Sequence, residues 1–345
     1  MKSNKKILIE DFRLANGPIL DVRSPVEFNH GHIPNAISFP LFSDEERAEI
    51  GTLYKKKGRD KAVKRGFDFA GPKLGKMVRR AEEISPEKTL RIYCARGGMR
   101  SSSIVGCLET AGFRVTVLED GYKSYRRLVR KTVSAQHQIH ILGGLTGTGK
   151  TQILEAMREQ GEQVLDLEGL ANHRGSSFGG LGMQPQPSTQ HFENLIAEEL
   201  ELFDISQPVW IESESRRVGS CFVPDELFCL MKEAPTIQII RPMEKRLDIL
   251  TEMYGQIDKN DLVEATKRIA RNLGGERTQT AVDLIQKNEI REACRIILDY
   301  YDRSYMSHIK RRPVRVPELD VARLSAQAAA KLLIEKAPVF FTSTS

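Results

Sequence analysis

The sequence predicts two α/β domains in series, the second built on a parallel sheet and ending in a helical part. Three observations lead there. The chain has 345 residues, long enough for two domains that each bury a core. Short strand-like runs alternate with helix-like runs from residue 19 to about 121 and again after residue 138. Between them a basic amphipathic stretch gives way to a polar connector near Ser134, so the domains are expected at 1–134 and 135–345.

In the first domain PILDVR, NAISFP, LRIYC and FRVTVLED read as strands, with a helix from Ser101 to Ala111 before the last of them. The insertion from Ser43 to Leu74 is charged and punctuated by glycine, which suits surface helices better than sheet. DGYKSYRRLVRKTVSAQHQ reads as a basic amphipathic helix and its connector. The second domain opens with IHILGGLTGTGKTQILEAM, a strand, a glycine turn and a helix in succession. Strands recur at QVLDLE, PVWIES and TIQIIR, Met243 to Ile309 is almost wholly helical, and the terminal FFTSTS is expected to fray.

Composition narrows the class. Forty per cent apolar and 28% charged residues suit a globular chain rather than a disordered or membrane one. Glu10 and Asp11 interrupt the first apolar run before it could serve as a signal-peptide core, so the expected location is the cytoplasm. Five cysteines without paired close spacing are expected as thiols. Cys107 and Cys294 fall on apolar helix faces, Cys221 and Cys229 lack zinc-ligand spacing, and Cys94 alone has unusual neighbours. The net charge is +6, and its cations are clumped at Lys55, Lys56, Lys57 and Arg59, at Lys123, Arg126 and Arg127, at 215–217 and at 309–315. Such clusters suit either a solvated surface or a polyanionic partner such as RNA.

Gly144-Leu-Thr-Gly147-Thr-Gly149-Lys150-Thr151 matches G-x-x-x-x-G-K-[ST] and sits between strand and helix, the context that the motif requires. Inward-turned N–H groups bind phosphate oxygens, Lys150 bridges the terminal phosphates, and Thr151 can hold Mg²⁺. Two acid pairs, Asp166 with Glu168 and Glu212 with Glu214, stand at strand ends. Asp166 and Glu212 are the preferred candidates for orienting the metal or its waters. The Gly-, Ser- and Pro-rich stretch from Gly169 to Glu193 reads as a mobile substrate loop. There His173 and Arg174 can meet an anion, and Phe178, Leu181 and Met183 can shelter an apolar group. Arg216 and Arg217 either face the same phosphates or lie in solvent.

Cys94 follows a strand and precedes a helix, a position that favours the thiolate. From Cys94 to Arg100, through Arg96, Gly97 and Gly98, the loop can wrap its N–H groups around an anion or a charged sulfur or selenium on the cysteine. Tyrosine-type phosphatases and rhodaneses share this Cys-to-Arg spacing. The phosphatases normally carry His before the cysteine, where Tyr93 stands here. Asp21-Val22-Arg23 with Glu27, followed by Gly31-His32-Ile33-Pro34-Asn35-Ala36, resembles the opening signature of rhodanese domains.

A rhodanese-like domain followed by a P-loop NTPase-like domain resembles the tRNA 2-selenouridine synthase family. Long matches support this: ERAEIGTLYKKKG, YCARGGMRS, DGYKSYR and DLEGLANHRGSSFG. The resemblance implies a transferase that replaces sulfur by selenium in 2-thiouridine at the tRNA wobble position, with selenophosphate as donor. It further implies an S-geranylated intermediate made from geranyl diphosphate. Cys94 would handle selenium while Lys150, Thr151 and Mg²⁺ hold the diphosphate. The expected grips for the RNA are the insertion cluster at Lys55, Lys56, Lys57 and Arg59 and the seam helix at Lys123, Arg126 and Arg127. The alternative is a P-loop kinase or NTPase that its rhodanese domain regulates.

Overall fold

A computed structural model of the chain describes residues 5–309 and 316–342 and divides into two units, Met1–Thr132 with Glu193–Glu198, and Val133–Phe192 with Glu199–Ser345. The expected division at 134/135 makes no provision for Glu193–Glu198, which group with the first unit although they lie far along the chain.

The first unit holds β1 (Lys5–Ile7), β2 (Ile19–Asp21), β3 (Ile37–Ser38), β4 (Thr89–Tyr93) and β5 (Arg114–Leu118) in one parallel sheet of order β1-β5-β4-β2-β3. Strand β1 is an edge of three residues that alternation in the sequence does not single out. Leu20, Leu90, Ile92, Ile104, Leu108 and Val117 fill the core, as a sheet covered on both faces requires. Strand β4 lies between β5 and β2 with Tyr93 opposite Asp21, so Cys94 leaves the carboxyl end of the middle strand.

The residues that carry the rhodanese resemblance largely hold this end together. Arg23 pairs with Asp21 at 2.6 Å, donates to the Gly31 carbonyl at 2.6 Å and lies 3.9 Å over the Tyr122 ring. The Tyr93 hydroxyl accepts from the Ile33 N–H at 3.1 Å. The insertion from Ser43 to Leu74 is helical, as expected, over Asp44–Lys57 and Arg59–Ala70, the first opened by a reciprocal capping box between Ser43 and Glu46, and a further helix, Leu74–Ile84, follows it.

The second unit holds β6 (Ile139–Gly144), β7 (Gln163–Leu165), β8 (Val209–Glu212), a small antiparallel hairpin of β9 (Arg217–Val218) and β10 (Cys221–Phe222), β11 (Thr236–Ile240) and β12 (Glu318–Asp320). Its main sheet is parallel, of order β12-β11-β6-β8-β7, with the P-loop strand β6 in the middle. Five helices from Met243 to Ile309 build a separate apolar core around Leu247, Ala265, Ala281 and Ala293. The helix Ala326–Thr342 lays Ala329, Ala330 and Leu333 on the sheet, and Phe341 packs 6.1 Å from Trp210. Fraying at FFTSTS therefore does not begin at Phe340; residues 343–345, like the basic run at 310–315, lie outside the described residues. All five cysteines are free. Among the described residues no helix is long and apolar enough to cross a membrane.

Asp21 and Arg23 are both fully or nearly fully buried, so removing one partner strands the other. Asp21→Ala is expected to destabilise the first unit by about 3–5 kcal/mol. Native-state hydrogen exchange of the β2 and β4 amides in the full chain reads the loss, and unchanged protection would refute the role given to this pair.

Candidate functional site

Each unit carries a cradle for negative charge at the carboxyl end of its middle strand. In the first, Cys94 is 3% exposed at the floor of an open cavity of ≈ 790 Å³. Its Sγ lies 3.3 Å from Ser101 Oγ, at the start of the Met99–Thr110 helix. Burial pushes the Cys94 thiol up, but the Ser101 hydroxyl, the N–H groups of Arg96 and Ser101 and the charge of Arg100 outweigh it, so the thiol falls below its ordinary value. Arg96 is exposed on the cavity wall, and Arg100 is held by Glu27 at 2.5 and 3.2 Å.

DGYKSYR supports this loop from below. The N–H of Tyr122 donates to the Cys94 carbonyl at 2.8 Å and that of Lys123 to the Ala95 carbonyl at 3.1 Å. Gly121 has φ +57°, and a Cβ there would lie 2.1 Å from the Cys94 carbonyl oxygen and 2.7 Å from Gly97 N. No side chain fits between the two strands' loops at that point.

In the second unit Gly144, Thr146, Gly147, Gly149, Lys150 and Thr151 line a cavity of ≈ 190 Å³ with Glu168, Arg174, Glu212 and Glu214. The register explains Glu212: Leu142 pairs with it directly, so the end of β8 lies beside the start of the P-loop. Lys150 Nζ donates to the Gly144 carbonyl at 3.2 Å and sits 3.3 Å from Glu212. Oxygen atoms of Glu168, Glu212 and Glu214 lie within 4.8 Å of one another, and Glu168 is 3.5 Å from Thr151 Oγ1. Burial, then the charge of Glu212, raises the carboxyls of Glu168 and Glu214, against the pull of Lys150. Carboxylates beside a hydroxyl are the donor set of a hard divalent cation. Gly175, at φ +62°, passes so close that a Cβ would lie 2.6 Å from Glu214 and 2.7 Å from Glu168.

Several expected residues sit elsewhere. Asp166 is not in the acid cluster: its carboxylate caps the short Leu167–Leu170 helix, accepting from Gly169 N–H at 2.8 Å, and that turn carries Glu168 inward instead. Arg216 does not line the P-loop cavity; it is exposed and pairs with Asp225 at 2.6 Å. Within the expected substrate loop Phe178 is buried with Tyr254, and Leu181 packs on the same helical core. Arg126 is engaged by Glu193 and by Asn194 Oδ1, while Lys123 and Arg127 are exposed, Arg127 on Asp120 at 2.7 Å. Lys55, Lys56 and Lys57 are exposed at the end of the helix Asp44–Lys57, and Arg59 is exposed at the start of the helix Arg59–Ala70.

Sequence reasoning passed over two arginines. Arg246, 2% exposed, donates to the Thr146 carbonyl at 2.8 Å and is clamped by Asp302 at 2.6 and 2.8 Å, so it braces the P-loop from outside. Arg241 follows β11 and is not among the residues that line the P-loop cavity, but its Nη2 is 4.0 Å from where a side chain on Gly149 would begin, and its buried Nε has no protein partner. Their only signal is the place of TIQIIR and the next helix beside β6, which needs the sheet order to be known.

The two cradles and their sheets define a thiol-bearing domain joined to a P-loop domain. A family model described as a rhodanese-like domain matches residues 5–128, and one described as the tRNA 2-selenouridine synthase AAA domain matches residues 137–335. The chain belongs to the tRNA 2-selenouridine synthase family. It is 31% identical to the tRNA 2-selenouridine synthase of Nitrosomonas europaea over 90% of this chain and 94% of that one. The corresponding proteins of a Sulfurovum species and of Marinobacter nauticus are each 34% identical, over 89% and 85% of this chain and 93% and 88% of theirs.

Two outcomes follow from the geometry. Alkylation of Cys94 by iodoacetamide should rise with a midpoint below pH 9.0, the thiol's ordinary value, and Ser101→Ala should move that midpoint upward. A wild-type midpoint at or above that value would overturn the stabilised thiolate. In calorimetry with inorganic pyrophosphate, Arg241→Gln should weaken binding about tenfold, the worth of one charge-assisted hydrogen bond. Undiminished affinity would remove Arg241 from the site.

Proposed function

We propose that this protein replaces sulfur by selenium in the 2-thiouridine of a tRNA wobble position, with selenophosphate as selenium donor and an S-geranylated nucleoside as intermediate. The observation that carries the two-step reading is a second cavity in the P-loop unit, of ≈ 40 Å³ and lined by Phe178, Leu262, Ile285, Ile297 and Leu298 among others. Thr146, Ser176, Leu250, Tyr254 and Tyr301 line both it and the P-loop cavity. A phosphate site that shares a wall with an apolar slot fits an amphiphilic diphosphate better than a nucleotide, whose base and ribose need polar partners. The slot is narrow, so a geranyl chain enters only as its walls move apart.

In this reading the N–H groups of the P-loop and Lys150 hold the diphosphate. Mg²⁺, held by Thr151 with Glu168, Glu212 and Glu214, would supply further charge to the leaving group. The thiouridine sulfur attacks the first carbon of the geranyl chain, the carbon–oxygen bond breaks, and diphosphate leaves with the electron pair. Lys150, released from Glu212, follows the charge as it develops on the leaving oxygens. The selenium of selenophosphate, directed by Cys94, then adds at C2 of the base as geranyl thiolate departs, and water takes the phosphoryl group from selenium as phosphate. The electropositive loop that lowers the Cys94 thiol favours the selenium anion for the same reason.

Incubating 2-thiouridine tRNA with the protein, geranyl diphosphate and selenophosphate, and reading nucleosides by mass spectrometry, tests both steps. Geranylated nucleoside should form and convert to selenouridine. Cys94→Ala should block the conversion and spare geranylation, and Lys150→Ala should cut geranylation at least a hundredfold, as the loss of a main transition-state charge contact does. Selenouridine formed normally by Cys94→Ala would remove that thiol from the reaction. ATP turnover that survives Cys94→Ser, with neither nucleoside formed, would favour the regulated NTPase.

A further inference from the structure

The cavity above Cys94 is far larger than an inorganic anion needs. At ≈ 790 Å³ it lies in the range of sites for small organic ligands, and the loop that holds Cys94 forms only one of its walls. The opposite wall is the insertion helix Asp44–Lys57, through Arg47, Ile50, Gly51, Tyr54 and Lys55. None of that helix's 14 residues is buried, although Ile50 packs on the core, so its cavity-facing side is left uncovered.

Two features of this wall have no structural use in the fold. Tyr54 is 53% exposed and makes no hydrogen bond, ring contact or cation contact among the described residues. Gly51 lies three residues earlier on the same helix face, in the helix interior, where glycine costs about 1 kcal/mol relative to alanine. A Cβ there would meet only the tip of Arg47, at 2.8 Å, so packing does not demand the glycine. Met99 also lines the cavity, 47% exposed, with Arg59 Nη2 3.9 Å from its Sδ; it is a polarisable thioether suited to an aromatic face.

We propose that Tyr54 stacks on the nucleobase brought to Cys94, with Gly51 leaving a shelf for the ring and Met99 closing over its other face. The proposal rests on the tRNA-modifying reading above and names the residues that seat the base. An unpaired base in an RNA loop offers a planar face of this kind, and aromatic stacking is the usual means of holding it. Charge points to the same occupant. The cavity lining includes Arg47, Lys55, Arg96 and Arg100 against the single carboxylate of Glu27, and exposed Lys56, Lys57 and Arg59 continue from its rim. Flanking phosphates of the loop therefore meet cations while the base enters between apolar groups. Tyr54 is a positioning residue here; it touches the base but not the bond that changes.

The test uses the full chain, an anticodon stem-loop RNA with 2-thiouridine at the wobble position, and the same RNA abasic at that position, with binding read by fluorescence anisotropy. Wild type should bind the base-bearing loop about tenfold more tightly than the abasic one. Tyr54→Ala should abolish the difference by weakening the first and sparing the second. Tyr54→Phe and Tyr54→Trp should retain it, and Gly51→Leu, which fills the shelf, should lose it. An unchanged Cys94 alkylation rate in Tyr54→Ala excludes a collapsed domain as the cause. Equal weakening of both RNAs by Tyr54→Ala, or no discrimination by wild type, overturns the stack. Neither result touches selenouridine formation, which the nucleoside assay scores separately, and failure of that assay with discrimination intact would sink the functional reading alone.

Discussion

A parallel sheet gathers the carboxyl ends of its strands on one edge, and a strand with neighbours on both sides has their loops as walls around its own. Both cradles of this protein depend on that arrangement. Cys94 leaves β4 between β5 and β2, and the P-loop leaves β6 between β11 and β8. Each side of each cradle is then supplied by a neighbour. Strand β2 leads to Asp21, Arg23 and Glu27; β5 leads to the Gly121 turn; β8 ends in Glu212; β11 is followed by Arg241. Moving either loop to an edge strand would remove one wall outright.

Inward-turned amides bind an anion well only if they are already in place when it arrives, because ordering a loop at that moment would offset much of the gain. The two units solve this alike, by hydrogen bonds to loop carbonyls from behind. Tyr122 and Lys123 N–H groups hold the carbonyls of Cys94 and Ala95, and Arg246, fixed by Asp302, holds that of Thr146. In each case the outward-facing carbonyl is tied, which leaves the N–H side free to face the ligand.

Motifs confined to one loop were legible in the sequence, and roles set by neighbouring strands were not. The P-loop, the Cys94 loop, the strand order of appearance and the helical stretch from Met243 are all local patterns of glycine, charge and apolar spacing. Asp166 and Glu168 show where locality ends. Both follow β7, and only the turn of helix that Asp166 itself caps decides that Glu168 faces Thr151. Arg126 reads as a surface cation beside Lys123 and Arg127, but Glu193 and Asn194, nearly seventy residues away, occupy it. Strands β1 and β12 have three residues each, too few for alternation to stand out from chance. DGYKSYR was recognisable as a motif, but its purpose appears only once Gly121 is seen against the Cys94 carbonyl.

The pairing of Arg100 with Glu27 bears on which anion the first cradle can hold. A loop that must bind a phosphate dianion uses its arginine as a bidentate partner for two phosphate oxygens. Here both terminal nitrogens of Arg100 are already on the Glu27 carboxylate, at 2.5 and 3.2 Å, and Arg47 approaches the same carboxylate at 3.7 Å. Burial pushes the Glu27 carboxyl up, but Arg100 and the Ser24 N–H outweigh that and hold it low, so it stays charged through the neutral range. A dianion entering the loop would have to displace a carboxylate that is itself well partnered. The Cys94 thiolate needs only the N–H groups of Arg96 and Ser101, which Glu27 does not occupy. The same ion pair that weakens the loop as a phosphate site leaves the thiolate's own N–H partners in place. Tyr93, buried beneath it where a phosphatase carries histidine, is engaged with Ile33 and supplies no acid or base in its place.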